Sequence, residues 1–258
     1  MPRLASPRGI LPLALGLALL TPPLSGCPDP LPGAAPPAAE AFSEVADVHF
    51  LERLTGGASV SAPLPLIVAL HGRGGRPEGV ARLFASFAGR ARVILPYGFD
   101  VSGDGFAWFA DPTDDRSFAD GTRRAADRLA AVIAEIARRR PTVGKPIVTG
   151  FSQGGILSFA LAVLHPDLVG AALPVAGVLP RPLWPSAWPA GVAKPSVHAF
   201  HGTADEVLSI EGARATLKRL REVGLPVELT EYPGAEHRLT GEMQRDVAQA
   251  LERAAHPR

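Results

Sequence analysis

The fold is decided by the stretch Pro146-Ile-Val-Thr-Gly-Phe-Ser-Gln-Gly-Gly155. Residues 147–149 form a short apolar run typical of a buried strand, and residues 156–164 form an apolar run typical of a helix. Between them lies Gly-x-Ser-x-Gly, with Ser152 at its centre. A serine at the apex of a sharp strand-to-helix turn needs neighbours without Cβ atoms, because the chain packs closely against itself there. The stretch therefore predicts a nucleophilic Ser152, with a plain glycine-rich turn as the alternative.

The composition is that of a globular chain with room for one sizeable core. The chain has 258 residues, of which 47% are hydrophobic, and a formal net charge of +1. Without its first 27 residues the formal charge is −1, so no basic field for nucleic acid is expected. The single cysteine, Cys27, excludes an intramolecular disulfide and a cysteine-based metal site.

The amino terminus has the layout of a signal peptide. Met1–Arg8 is positively charged, and Ile10–Leu20 is apolar but too short to span a membrane. Leu-Ser-Gly-Cys at residues 24–27 then resembles the bacterial lipobox, in which cleavage leaves the cysteine amino-terminal and lipid-modified. An ordinary secretory signal with an incidental cysteine is the alternative.

Three segments follow from this interpretation. Residues 1–27 are predicted to be a lipoprotein signal peptide with its lipobox cysteine, and residues 28–41 a Pro/Ala-rich extended tether. Residues 42–258 are predicted to be the folded domain. We expect an exported protein of the bacterial cell envelope, held by a lipid anchor on Cys27, with a soluble body in the periplasm or at the cell surface.

Within the predicted domain, strands alternate with helices. The predicted strands lie at 45–51, 64–70, 93–95, 147–149, 171–175, 196–200 and 227–232. The predicted helices lie at 80–87, 118–140, 156–164, 210–223 and 241–254. Tyr97–Asp115 is predicted to be a solvated loop, since its aspartates match no metal-ligand spacing. The alternation predicts an α/β fold with a mostly parallel sheet and helices on both faces.

A serine nucleophile needs a base, and the base needs an orienting acid. In the chain order of α/β-hydrolases, the acid and then the histidine follow the serine, each after a later strand. His237 comes directly after the strand at 227–232 and is the predicted base. Asp205 lies in a tight loop after the strand at 196–200 and is the predicted acid, with Glu206 as the neighbouring alternative.

An oxyanion hole needs two backbone N–H groups near the attacked carbonyl. The amide of Gln153, which follows the serine, is the first predicted donor. The second is the amide of Arg73, in a loop that resembles the His-Gly-Gly-Gly loop of esterases. His71 and Gly72 are expected beside the substrate, with His71 bracing the loop rather than acting as a second base.

Four motifs together resemble the phospholipase/carboxylesterase family of α/β-hydrolases, which includes the acyl-protein thioesterases and many bacterial carboxylesterases. They are Leu70-His-Gly-x-Gly-Gly, Gly150-Phe-Ser-Gln-Gly-Gly, His201-Gly-Thr-Ala-Asp and Tyr232-Pro-Gly-x-x-His. The resemblance runs from about Leu64 to the carboxyl terminus. It implies a triad and two oxyanion donors, namely Ser152, Asp205 and His237 with the amides of Arg73 and Gln153.

Other positions bear on the substrate. Trp108 and Phe109 match a Trp-Phe element that lines the acyl groove of the family. Trp184 and Trp188 lie in a Pro-rich insertion that departs from the family pattern, and they are expected as further walls of the site. Arg73 stands where the family usually has a small apolar residue, which suggests that the arginine side chain selects an acidic leaving group.

The sequence thus predicts a serine hydrolase of short to medium acyl or aryl carboxylic esters that works through an acyl-enzyme. A minimal cap is expected, because too few residues separate the strands at 171–175 and 196–200 for a large helical lid. No metal or organic cofactor is needed for this chemistry. The alternatives are a polyester or feruloyl-type esterase, a thioesterase or peptidase on the same triad, and a membrane-tethered binding lipoprotein.

Overall fold

A computed structural model of the chain describes residues 41–45, 47–84 and 86–256. The predictions for the signal peptide, for Cys27 and for nearly all of the tether lie outside the described residues.

The described residues form ten strands. These are β1 Ala41–Val45, β2 Val48–Leu54, β3 Leu66–Leu70, β4 Arg92–Pro96, β5 Asp100–Ser102, β6 Gly105–Ala107, β7 Ile147–Phe151, β8 Ala171–Val175, β9 Ser196–Gly202 and β10 Val227–Tyr232. Eight of them build one sheet in the order β1-β2-β4-β3-β7-β8-β9-β10. Along the sheet, neighbouring strands are parallel from β4 through β3, β7, β8 and β9 to β10, whereas β2 pairs antiparallel with both β1 and β4. The predicted mostly parallel sheet is confirmed.

The helices agree with the predicted ones except near residue 80. They are α1 Pro77–Val80, α2 Asp115–Arg139, α3 Gln153–Leu164, α4 Ile210–Glu222 and α5 Gly241–Ala255. The predicted helix over 80–87 is wrong, because α1 passes into a 3₁₀ turn at Ala81–Phe84. Its apolar spacing still serves the core, since Val80, Leu83 and Phe87 are buried in one cluster. Within the described residues, no helix combines the length and apolarity that a bilayer span requires.

Helix α2 begins earlier than predicted because of its cap. The Asp114 carboxylate accepts the backbone N–H of Ser117 at 2.7 Å, and the Ser117 hydroxyl accepts the Asp114 N–H at 3.1 Å. This reciprocal capping box satisfies amides that have no partner within the helix. Because of this cap, α2 begins at Asp115, which is the last residue of the predicted loop.

The sheet is covered by helices on both faces, as predicted. Along β3, Leu66, Val68 and Leu70 point into a core shared with α2, α3 and α4. Ile67 and Ala69 point into the opposite core, which α5 covers. All five residues of β3 are fully buried, which accounts for a strand that is apolar throughout rather than alternating.

A buried ion cluster joins β2, β4 and the end of α2. The Glu52 carboxylate accepts hydrogen bonds from Arg140 at 2.9 Å and from Arg92, whose second η-nitrogen donates to the Val60 carbonyl at 2.7 Å. Burial by itself would raise the pKa of Glu52, but the Arg140 hydrogen bond and the two guanidinium charges outweigh it and hold the pKa below its usual value. Arg92 is fully buried, so its positive charge needs the Glu52 carboxylate as a counter-charge.

We predict that Glu52→Gln destabilises the fold by roughly 3–5 kcal/mol, because it leaves the Arg92 charge buried without a counter-charge. The measurement is the free energy of unfolding from urea denaturation at neutral pH. Glu135→Gln is the matched control, since Glu135 pairs with Arg138 and Arg139 at the helix surface and should change stability much less. Equal effects of the two substitutions would contradict a structural role for the buried cluster.

Candidate active site

The four sequence motifs meet at one edge of the sheet. Because the carboxyl ends of parallel strands lie on the same side, the segments that leave β3, β7, β9 and β10 converge there. The segment after β3 is the glycine-rich loop that begins at His71. Ser152 follows β7 directly, Asp205 follows β9 and His237 follows β10. Residues far apart in the chain are thereby brought into one site.

Ser152 occupies a strained turn between β7 and α3. Its backbone has φ +56° and ψ −116°, a region that costs a non-glycine residue about 1–3 kcal/mol. Its N–H donates to the Val175 carbonyl at 3.0 Å, which helps to hold the turn. A Cβ at Gly150 would lie 2.6 Å from the Leu70 carbonyl oxygen, and a Cβ at Gly154 would lie closer still. Both glycines are therefore required by close backbone packing.

A continuous hydrogen-bonded chain links Ser152, His237 and Asp205. His237 Nε2 lies 2.9 Å from Ser152 Oγ, and His237 Nδ1 lies 2.7 Å from Asp205 Oδ2. An ionised carboxylate only accepts, so Nδ1 carries the proton and the Nε2 lone pair faces the serine hydroxyl. This arrangement lets the imidazole take the hydroxyl proton while the carboxylate orients the ring.

The Asp205 carboxylate is held in place on both of its oxygens. Oδ1 accepts the amides of Val207 at 3.0 Å and Leu208 at 2.8 Å, and Oδ2 accepts from His237. The carboxylate has no exposed surface, so these bonds replace its lost hydration. Glu206, the alternative acid, is exposed to solvent.

His201, the first residue of the motif that carries Asp205, is a fully buried histidine whose side chain was given no role by the sequence. Its Nε2 lies 2.7 Å from the Leu208 carbonyl, which only accepts, and 3.4 Å from Asp205 Oδ2. Nε2 therefore carries the proton, and Nδ1 has no hydrogen-bond partner in the described part of the chain. Burial lowers the pKa of His201 despite the raising effects of the Leu208 carbonyl and the Asp205 charge. Through its hydrogen bond to the Leu208 carbonyl, the neutral ring joins the two ends of the turn that carries Asp205.

The glycine-rich loop after β3 is held by the β5–β6 hairpin. Gly74 N–H donates to the Phe106 carbonyl at 2.8 Å, and Phe106 N–H donates to the Gly75 carbonyl at 2.9 Å. The prediction of a solvated loop over 97–115 is therefore wrong in its middle, where the hairpin pairs with this loop. The pairing was hidden in the sequence because β5 and β6 have three residues each and no apolar alternation.

His71 braces the same loop, as its sequence context predicted. Its Nδ1 lies 2.8 Å from the Gly72 carbonyl, and its Nε2 accepts the Gly98 N–H at 3.0 Å. Only the neutral ring with the proton on Nδ1 satisfies both contacts. Burial lowers the pKa of His71 and outweighs the raising effects of the Gly72 carbonyl and of the Glu78 charge.

Trp108 and Phe109 do not line an open groove, contrary to the role that the resemblance implied. Trp108 is 2% exposed and Phe109 is 6% exposed. The Trp108 indole stacks on the His71 ring with centroids 4.8 Å apart and donates to the His71 carbonyl at 2.8 Å. The side-chain amide of Gln153 holds the backbone of both residues. It accepts a hydrogen bond from the backbone N–H of Trp108 and donates one to the Phe109 carbonyl, each at 3.0 Å. The pair supports the site from beneath.

The insertion after β8 also differs from its expected role. Trp184 and Trp188 pack against the hydrophobic core, and their indoles donate to the carbonyls of Leu179 and Val192 inside the insertion. Neither lines the cleft beside Ser152. The insertion contains one three-residue 3₁₀ turn, Arg181–Leu183, which agrees with the predicted minimal cap.

A cleft of about 500 Å³ opens beside Ser152 and His237. His71 and Gly72 line it, as predicted, together with Phe151, Val207, Leu239 and Gln244. The amides predicted as oxyanion donors, those of Arg73 and Gln153, have no acceptor in the described part of the chain. The Arg73 side chain forms an ion pair with Asp111. The cleft thus offers a hydroxyl, a paired base and the amide of Arg73, while the amide of Gln153 directly follows Ser152 in the chain.

We predict that the free energy of unfolding falls as the pH drops below about 6.5, the ordinary histidine value. Burial lowers the pKa of His71 and His201 in the folded state, so below this pH the unfolded chain binds more protons than the folded chain. Urea denaturation at a series of pH values from neutral to mildly acidic measures the slope. His201→Gln cannot titrate, so its slope should be shallower than that of the wild type, and equal slopes would contradict a neutral buried His201.

Comparison with known proteins agrees with the fold. A rice protein (Oryza sativa subsp. japonica) described as a probable carboxylesterase is 31% identical over 146 residues, which are 53% of this chain and 60% of that protein. Carboxylesterase SOBER1 of Arabidopsis thaliana is 32% identical over 94 residues, or 36% of this chain and 41% of that protein. The matches thus span less than two thirds of these relatives. The crystal structure of a carboxylesterase from Mesorhizobium loti superposes with a TM-score of 0.67 over 81% of this chain and 98% of that chain, at 23% identity.

The family is shown by a match over most of the chain. The family model described as Phospholipase/Carboxylesterase matches residues 58–254, which include all four motifs and every strand from β3 to β10. The strand order and the helices on both faces are those expected of an α/β-hydrolase. This chain belongs to the phospholipase/carboxylesterase family.

Proposed function

We propose that this protein hydrolyses carboxylic esters through an acyl-enzyme formed on Ser152. The observation that carries the proposal is the hydrogen-bonded chain from Ser152 Oγ through His237 to Asp205, with distances of 2.9 and 2.7 Å. Nucleophile, base and orienting acid are each within the reach that acyl transfer needs. A scaffold without activity has no physical need for this chain or for a strained serine.

In the first half-reaction, Ser152 Oγ attacks the ester carbonyl while His237 Nε2 takes the hydroxyl proton. Asp205 holds the tautomer with the proton on Nδ1 and stabilises the imidazolium that forms. The imidazolium then protonates the departing alkoxide, so the alcohol leaves and an ester to Ser152 remains. Water attacks this ester with His237 again as base, which releases the acid and restores the serine.

The negative charge that develops on the carbonyl oxygen needs fixed donors. The amide of Gln153 stands at the amino terminus of α3, where the helix dipole also favours an anion. The amide of Arg73 stands in the glycine-rich loop that His71 and the hairpin hold rigid. Donors placed in advance cost no reorganisation during the reaction, and the loss of one such donor typically lowers kcat by about 10²–10³-fold.

The cleft suits a small ester. Its volume of about 500 Å³ lies within the usual range for ligand sites. Phe151, Val207 and Leu239 supply apolar surface, and the insertion after β8 places no lid residue in the lining. We therefore expect short to medium acyl or aryl esters to be turned over faster than long-chain ones.

We predict that Ser152→Ala lowers kcat for p-nitrophenyl esters by roughly 10⁴- to 10⁶-fold, since the remaining triad residues cannot act without the nucleophile. The measurement uses the full chain in mild detergent and a series of esters from acetate to decanoate. A fluorophosphonate should label the wild type and not the variant, as read by intact mass.

Ser158→Ala is the matched control for this experiment. Ser158 lies on α3, the helix that Ser152 directly precedes, and its hydroxyl donates to the Gly154 carbonyl at 2.8 Å. It is fully buried and does not line the cleft. Its loss should cost about 1 kcal/mol of stability and leave turnover near that of the wild type. Undiminished hydrolysis by Ser152→Ala would overturn the proposed mechanism.

We further propose that the protein is exported and anchored by lipid on Cys27. The lipobox-like Leu24-Ser-Gly-Cys27 after an apolar segment supports this proposal, as does the Pro/Ala-rich stretch that follows. Several acyl chains on one amino-terminal cysteine would hold the protein at a membrane surface, since a single chain binds only marginally. The ester substrate would then be met outside the cytoplasm.

We predict that Cys27→Ser moves the protein from the detergent-rich to the aqueous phase in Triton X-114 partition and removes labelling by a palmitate analogue. The physical reason is that no other cysteine can carry the lipid. Ala34→Ser, in the tether, is the control and should stay in the detergent phase. Unchanged partition and labelling of Cys27→Ser would contradict the anchor.

A further inference from the structure

Arginines are prominent in the lining of the cleft beside Ser152. Three arginines line it, namely Arg73, Arg76 and Arg82, and none of its lining residues is an aspartate or a glutamate. A concave site with charges of one sign concentrates the electric field and raises the local concentration of oppositely charged ligands. Such a site favours an ester that itself bears an anionic group.

Two of these cations are already engaged. Arg73 is neutralised by its ion pair with Asp111, so the sequence-based suggestion that Arg73 selects an acidic group is not supported. Arg76 donates to the Asp104 carbonyl at 2.7 Å, lies 4.0 Å from a Glu78 carboxylate oxygen and covers the Phe106 ring with its guanidinium 5.3 Å from the centroid. These contacts commit both side chains to holding the loops around the cleft.

Arg82 differs from both. It lies on the 3₁₀ turn Ala81–Phe84, where its neighbour Leu83 is buried and fixes the turn against the core. Arg82 is exposed and is one of the residues that line the cleft. No acidic side chain of the described residues forms an ion pair with it, and the nearby Glu78 carboxylate lies against Arg76. A guanidinium keeps its charge at all physiological pH values and matches a carboxylate with two parallel N–H donors. Arg82 is therefore available to a ligand.

We propose that Arg82 makes this cleft selective for esters with a terminal anionic group, such as half-esters of dicarboxylic acids or esters of aromatic hydroxy acids. The proposal rests on the proposed esterase function and names its substrate class. The anionic group would lie against Arg82 while the ester carbonyl reaches Ser152, since both side chains line the same cleft. Arg82 acts on binding and not on the chemical step, so its contribution should appear in KM.

Two matched pairs of esters test the proposal in the full chain. In the first pair, p-nitrophenyl hydrogen adipate and p-nitrophenyl hexanoate differ by a carboxylate on the acyl half. In the second, para-acetoxybenzoate and para-acetoxybenzamide differ by a carboxylate on the alcohol half. For each pair the ratio of kcat/KM, anionic over neutral, is measured after subtraction of the uncatalysed rate.

In at least one pair, Arg82→Gln should lower this ratio on the order of 2- to 5-fold, mainly through KM, as expected for a partly solvated ion pair. Arg82→Lys should retain most of the preference. Raising the ionic strength from about 0.02 to 0.5 M should lower the wild-type ratio as well. Arg221→Gln is the matched control, because it removes the same charge from the end of α4 outside the cleft, and its ratio should equal that of the wild type.

The outcomes separate the two proposals. If the neutral esters are hydrolysed but neither ratio responds to Arg82→Gln or to salt, the selectivity is overturned and the esterase function stands. If folded wild type hydrolyses neither the neutral nor the anionic esters, the esterase function itself fails and the selectivity falls with it. An equal change in Arg82→Gln and Arg221→Gln would assign the effect to net charge and would also overturn the role of Arg82.

Discussion

The site depends on how closely two backbone segments approach at the serine turn. The Leu70 carbonyl, at the end of β3, stands so near Gly150 and Gly154 that neither position has room for a Cβ. This contact presses the start of α3 against the sheet and forces the positive φ of Ser152. It also aligns the Gln153 amide with the glycine-rich loop that leaves β3 one residue later. One steric constraint therefore sets the positions of the Ser152 side chain and the Gln153 amide together.

The two buried histidines that support the loops around this turn are neutral. His71 and His201 are both buried and both have a lowered pKa, and each ring donates one N–H hydrogen bond to a backbone carbonyl. Neutral rings can support the loops without adding a charge that would compete with His237 for Asp205. The same burial makes them costly to protonate, so the rigidity of the site is gained at the expense of stability in acid.

The arginine in the core and the arginine at the cleft differ in whether an acidic side chain pairs with them. Arg92 is buried and paired with the Glu52 carboxylate, which makes it part of the fold. Arg82 is exposed at the cleft and without an acidic partner among the described residues, which makes it open to a ligand. The family match concerns the fold and the motifs and does not by itself assign a role to the arginines of the cleft.

The sequence by itself determined the parts of the protein that depend on local spacing. The apolar runs predicted most strands and helices, and the order serine, aspartate, histidine after successive strands predicted which side chains would meet at the edge of a parallel sheet. Contacts between distant residues that no motif marks were decided only by the tertiary structure. Trp108 reaches the His71 carbonyl, Glu52 reaches Arg92 and Arg140, and Asp111 neutralises Arg73 because of strand register and loop paths. Periodicity carries no information on such contacts, since a tryptophan in a loop has the same local pattern whether it lines a groove or packs beneath it.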